Sequence, residues 1–153
     1  MGIEKDIQQT NFRNEFQKMS INIIYTANWL NEKMDQILST EDITQHQYNI
    51  LRILRGSECP LITLKIREHM LDKMSDTSRI VGRLIVKGLV EKTACVKDKR
   101  LVDITVTKKG LQLLEKLDAL NESIDSILNG VSEKEAHTIN QILDKLREDT
   151  QHL

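Results

Sequence analysis

Between Leu89 and Val106 the periodicity of the chain changes, and that change restricts the available folds more than any other feature. Leu89-Val90-Glu91-Lys92-Thr93-Ala94-Cys95-Val96 and Leu101-Val102-Asp103-Ile104-Thr105-Val106 are β-prone runs, the second one alternating. The charged segment Lys97-Asp98-Lys99-Arg100 joins them. Two such runs around a short polar link read as a hairpin. On either side the apolar residues return to steps of three and four, the spacing of helices that bury one face. A single proline, Pro60, and six glycines in 153 residues leave long stretches free to stay helical. The expected fold is mainly α with one small β-hairpin.

The helical segments can be placed from their stripes and caps. From Gln8 to Leu38, residues Phe12, Phe16, Met19, Ile23, Ala27, Leu30, Met34 and Leu38 form one stripe, which predicts a helix of about eight turns. A small domain cannot cover so long a helix alone, so packing against a partner chain is expected. Thr44 and Gln47 form a capping box for a second helix that carries Tyr48, Ile50, Leu51, Ile53 and Leu54 and ends near Gly56-Ser57. A short third helix is expected after Thr63, with Leu64, Ile66 and Met70 facing inward. Ser75 is the expected N-cap of a fourth, and Gly88 stands in the usual position past its end. After the hairpin, Thr107 opens a long helix with Leu111, Leu114, Leu117, Leu120, Ile124 and Ile127, stopping at Gly130. Ser132 and Glu135 then box the last helix, with Ala136, Ile139, Leu143 and Leu146.

This order describes a winged helix-turn-helix at residues 41–106. Helical regions at 8–40 and 107–149 flank it and are expected to dimerise, the whole forming a single compact domain. Hydrophobic residues make up 39% of the chain but aromatics only 3%, so the core must be built from Leu, Ile, Val and Met. No apolar run approaches the roughly 18 residues of a membrane span, and the first residues lack a basic-then-apolar leader pattern. A cytoplasmic protein without a membrane partner is expected. Cys59 and Cys95 are too isolated for a disulfide framework or a metal knuckle.

The net charge of −1 hides a strong asymmetry. Residues 61–109 hold twelve Lys or Arg against six Asp or Glu, a net +6, which leaves −7 for the remainder. Such a balance describes a basic binding module on an acidic body. In the fourth helix an inward face of Thr77, Ile80, Val81 and Leu84 would leave Ser75, Asp76, Ser78, Arg79, Gly82 and Arg83 outward. A helix in the DNA major groove reads base edges with its N-terminal residues. Arg79 and Arg83, one turn apart, suit guanine or phosphate, and the Ser75 end offers backbone N–H groups to a phosphate. At the hairpin tip Arg100 suits a narrow minor groove. Asp98 could hold its guanidinium, and Lys97 and Lys99 would add phosphate contacts blind to sequence. Each feature alone is also what a solvated surface looks like; their order on one basic segment favours DNA.

Asp98-x-Arg100-x-x-x-Ile104-x-Val106-Thr107-x-x-Gly110 resembles the signature of the MarR family of bacterial transcription regulators, Asp-x-Arg-x-x-x-Val-x-Leu-Thr-x-x-Gly. Residues 78–90 are similar to that family's recognition helix and the start of its wing. The resemblance implies a homodimer with interlocked terminal helices, two winged lobes on a palindromic operator, a repressor's role and control by a small-molecule effector. It also implies a crevice near Tyr25, Trp29, His46 and Tyr48, although ordinary core or interface packing is the favoured role for each of these rings. The turn Met70-Leu71-Asp72-Lys73-Met74 lacks the glycine often found there, and Thr77 stands where the family is usually apolar. The first long helix has no cysteine for peroxide sensing of the family's kind. The four histidines are scattered, so no metal site and no cofactor are expected. With no phosphate loop and no nucleophile elbow, catalysis is not expected either. The competing reading is a winged helix that binds an acidic protein partner without reading DNA.

Overall fold

The computed structural model describes residues 2–148. Its elements are α1 (Ile3–Asp6), α2 (Glu15–Ser39), α3 (Gln45–Gly56), β1 (Leu61–Ile62), α4 (Thr63–His69), α5 (Thr77–Val86), β2 (Val90–Ala94), β3 (Val102–Val106), α6 (Lys108–Asp118), α7 (Asn121–Ser126) and α8 (Glu133–Glu148). They form two compact units that divide between Ala119 and Leu120. The mainly helical architecture with one small sheet agrees with the sequence. The expected last residue of the final helical region, 149, and His152 lie outside the described residues.

In the first unit α3, α4 and α5 pack around Ile50, Leu51, Ile66, Leu84 and Leu114, all without solvent exposure. Leu38 at the end of α2, Ile43, Leu54, Met70, Val81, Leu89, Val90, Ile104 and Leu117 are buried with them. The sheet is antiparallel in the order β1-β3-β2, with Val90 opposite Val106 and Ala94 opposite Val102. β1 was not expected. It is only two residues long, Leu61 opposite Ile104 and Ile62 opposite Asp103, too short to show alternation. Arg55 and Asp118 clamp α3 to α6 through two hydrogen bonds of 2.7 and 3.1 Å, and the guanidinium holds the Asp118 carboxyl below its ordinary value.

Several boundaries differ from the sequence reading, each for a local reason. The long helix starts at Glu15, not Gln8. Asn14 caps it by accepting from Gln17 N at 2.9 Å, and Gln17 Oε1 accepts from Arg13 N at 2.6 Å. Leu64 faces solvent, 59% exposed, because a residue two before Ile66 points the other way around a helix. Ser75 does not cap α5. Its hydroxyl is committed to the Asp72 carbonyl at 2.7 Å, and Asp76 caps instead, accepting from Arg79 N at 3.1 Å. The expected helix from Thr107 to Gly130 ends at Asp118. Its apolar steps average close to three, and at about 100° per residue such a stripe winds well away from one face of a straight helix.

The caps read from sequence at the other ends are present. Thr44 and Gln47 form a full capping box, Thr107 accepts from Gly110 N, and Ser132 and Glu135 exchange bonds at the start of α8. In the second unit α8 leaves Ile139, Ile142 and Leu146 exposed. In the first, α2 leaves Phe16 76%, Ile24 61% and Tyr25 41% exposed.

Candidate nucleic-acid interface

α5 is fixed at both ends before any ligand arrives. Asp76 satisfies one free N–H at its start. At its end Gly88, with φ of +71°, donates to Ile85 O at 2.9 Å, and Leu89 donates to Leu84 O at 3.0 Å. This pair of bonds is the Schellman motif, and its positive φ is one that glycine adopts without strain. Lys87 reaches back to the Asp42 carbonyl and to Gln47 Oε1, while Lys109 Nζ donates to Lys87 O at 2.9 Å and Thr107 Oγ1 to Gly88 O at 2.7 Å. The carbonyls that a helix end leaves open are thus taken up by α6. Val81 and Leu84 bury the inner face.

The outer face carries Asp76, Ser78, Arg79, Gly82 and Arg83, all exposed, with Ser75 half-buried at its edge. Among the described residues no hydrogen bond or ion pair engages the side chain of Arg79 or Arg83. Both guanidiniums are available to an anionic partner. Ser75 N donates to Asp72 O, so this residue does not offer the free N–H expected of it.

The turn before α5 is held from α3. Leu71 N donates to Asn49 Oδ1 at 2.9 Å, and His46 Nε2 lies 2.9 Å from Asp72 Oδ2. Asp72 Oδ1 also accepts from Met74 N, and the His46 contact and this N–H together lower the Asp72 carboxyl below its ordinary value. Sequence reasoning missed this bracing because its partners are more than twenty residues apart and carry no local pattern. It also explains how the turn closes without a glycine. Thr77, at the first position of α5, is buried and its hydroxyl has no partner among the described residues.

At the wing tip Leu101 N donates to Asp98 O at 3.0 Å and Cys95 N to Leu101 O at 3.1 Å. Asp98 Oδ1 accepts from Arg100 N at 3.0 Å, and its carboxylate meets the Arg100 side chain at 3.3 and 3.4 Å. The Arg100 N–H first, then its guanidinium, hold the Asp98 carboxyl below its ordinary value. The Arg100 side chain nevertheless stays 90% exposed, braced at its base and open at its head. Lys97 and Lys99 are exposed beside it.

The four ring residues are not held alike. His46 belongs to the turn just described, and Arg52 lies over the Tyr48 ring at 5.6 Å. Tyr25 and Trp29 stand one turn apart on α2, 41% and 37% exposed. Among the described residues no group of three His, Cys, Asp or Glu is placed to hold a metal ion, and no helix is long and apolar enough to cross a membrane.

A braced helix-turn-helix followed by a cationic two-stranded wing defines a winged helix-turn-helix protein. Residues 43–102 match the model of the MarR family. The chain is 25% identical over 114 residues to the HTH-type transcriptional repressor IacR of Pseudomonas putida, covering 74% of this chain and 68% of that protein. It is also 25% identical over 123 residues to the multiple antibiotic resistance protein MarR of Escherichia coli K12, covering 76% and 85%. Among solved structures, a mutant of E. coli MarR complexed with operator DNA superposes with a TM-score of 0.80 at 22% identity, covering 90% of this chain and 99% of that one. The MepR–DNA complex of S. aureus gives 0.75 at 20% identity, covering 91% and 99%. These similarities support a MarR-family transcription regulator, with the family match itself confined to residues 43–102.

Proposed function

We propose that this regulator is a repressor that binds a palindromic operator as a homodimer and is released by a small-molecule effector. The observation that carries the DNA reading is the pairing of two cationic devices on one basic segment. α5 presents unengaged Arg79 and Arg83, and the wing presents Arg100 braced by Asp98. Arg79, Arg83, Ser78 and Asp76 enter the major groove, with Ser75 at their edge. Arg100 enters the adjacent minor groove, and Lys97 and Lys99 lie along phosphates. Asp98 keeps the Arg100 backbone and guanidinium in register.

The homodimer reading rests on the apolar side chains left open on α2 and, separately, on α8, the helices of regions 8–40 and 107–149. A second copy of the chain covers them, and two-fold symmetry then demands two half-sites about one DNA turn apart. The repressor's role and operator binding are suggested by the names of the relatives. The effector lodges near Tyr25, Trp29, His46 and Tyr48, where Tyr25 and Trp29 keep exposed ring surface one turn apart on α2.

The decisive experiment is fluorescence anisotropy with a duplex selected by the protein from a randomised pool, against a scrambled duplex, across a salt series. A regulator of this class prefers its site by about a thousandfold or more and loses affinity steeply with salt. Equal binding to both duplexes, or failure to select any sequence, overturns the operator reading.

A further inference from the structure

Three glycines lie in or beside the recognition elements, and the protein itself explains two of them. Gly88 takes a φ of +71° to end α5. Gly110 sits where a Cβ would overlap the Leu89 carbonyl oxygen and stand 2.6 Å from Val106 Cγ2, so only glycine lets α6 start against the wing. Gly82 is different. It lies inside α5, where glycine is the least favourable residue after proline. A Cβ built on it meets nothing within 4 Å. No positive φ is recorded there, so neither backbone strain nor packing asks for it. It is exposed, three residues past Arg79 and four past Ser78, and so shares their outward face.

We propose that Gly82 is a close-approach position for DNA: its bare backbone lets a groove wall or base edge reach α5 where any side chain would hold the helix off. The inference rests on the reading of α5 as the DNA-reading helix. A helix with its side chains is about 10–12 Å across, and the major groove is about 12 Å wide. With so little clearance, one methyl on the inserted face decides how deeply the helix seats. Arg79 and the adjacent Arg83 then reach the bases from either end of the bare stretch. The chain accepts a weaker helix in exchange for a deeper fit.

The test is the Gly82→Ala variant of the full chain, followed by thermal melting and by anisotropy on the selected duplex and a scrambled one. Arg83→Ala serves as control. Alanine is expected to raise the melting temperature by about 2–4 °C and to weaken binding to the selected duplex about tenfold or more, with little change on the scrambled one. A raised melting temperature with affinity for the selected duplex within about twofold of wild type overturns the proposal. A lowered melting temperature also overturns it, because the protein would then need the glycine for itself. If Arg83→Ala leaves affinity unchanged too, the DNA-reading role of α5 fails. If it weakens binding while Gly82→Ala does not, only the close-approach inference falls.

Discussion

α5 and the wing tip both present cationic side chains, yet they are held in opposite ways. α5 is capped by Asp76, closed by the Gly88 motif, tied to α6 through Lys109 and Thr107, and backed by buried Val81 and Leu84. The wing tip has no buried side chain between Ala94 and Val102, and Val96 is 95% exposed. Its geometry comes from backbone bonds between Cys95, Asp98 and Leu101 and from the Asp98–Arg100 brace. The difference suits the two modes of recognition proposed for them. Base edges in the major groove demand fixed donor positions, whereas a minor groove of variable width is better served by one long side chain on a short tether.

The largest expected effect breaks the comparison at the level of stability. Leu84→Ala should cost about 2–5 kcal/mol by leaving a cavity under α5, while Val96→Ala should stay within about 0.5 kcal/mol. Chemical denaturation distinguishes them, and equal losses would mean that the wing tip packs in solution. Next, Arg100→Ala should weaken operator binding by about 1–3 kcal/mol, roughly five- to 150-fold, with melting unchanged. A loss shared equally by scrambled DNA would reduce Arg100 to a phosphate contact. Asp76→Ala should then lower stability by about 1 kcal/mol through the lost cap, a cost with no counterpart at the wing.

The smallest effect is a titration. Asp98 has a lowered carboxyl, so the stabilisation of its turn is fully present above the ordinary aspartate value of 3.8 and is lost as pH falls through the lower folded value. NMR signals of the Arg100 amide should therefore stay constant at neutral pH and move only below about pH 3.8. Movement around pH 6 would mean that another group controls the tip.

What the sequence determined by itself was whatever depends on residues three or four apart. The Thr44–Gln47 box, the Thr107 cap on Gly110, the Ser132–Glu135 box and the Gly88 terminus all close within one turn. The Asp98–Arg100 pair is equally local, and the hairpin pairs strands that adjoin in sequence across one short turn, so the wing was legible too. Competition between neighbours already blurred the reading, since Ser75 lost the cap to Asp76 once its hydroxyl was taken by Asp72. Tertiary structure alone decided β1, which exists only because Ile104 and Asp103 lie alongside it. It alone decided the bracing of the glycine-free turn by Asn49 and His46, and the break after Asp118. Those outcomes join residues far apart in the chain, and their free energy comes from burial and pairing that no local pattern encodes.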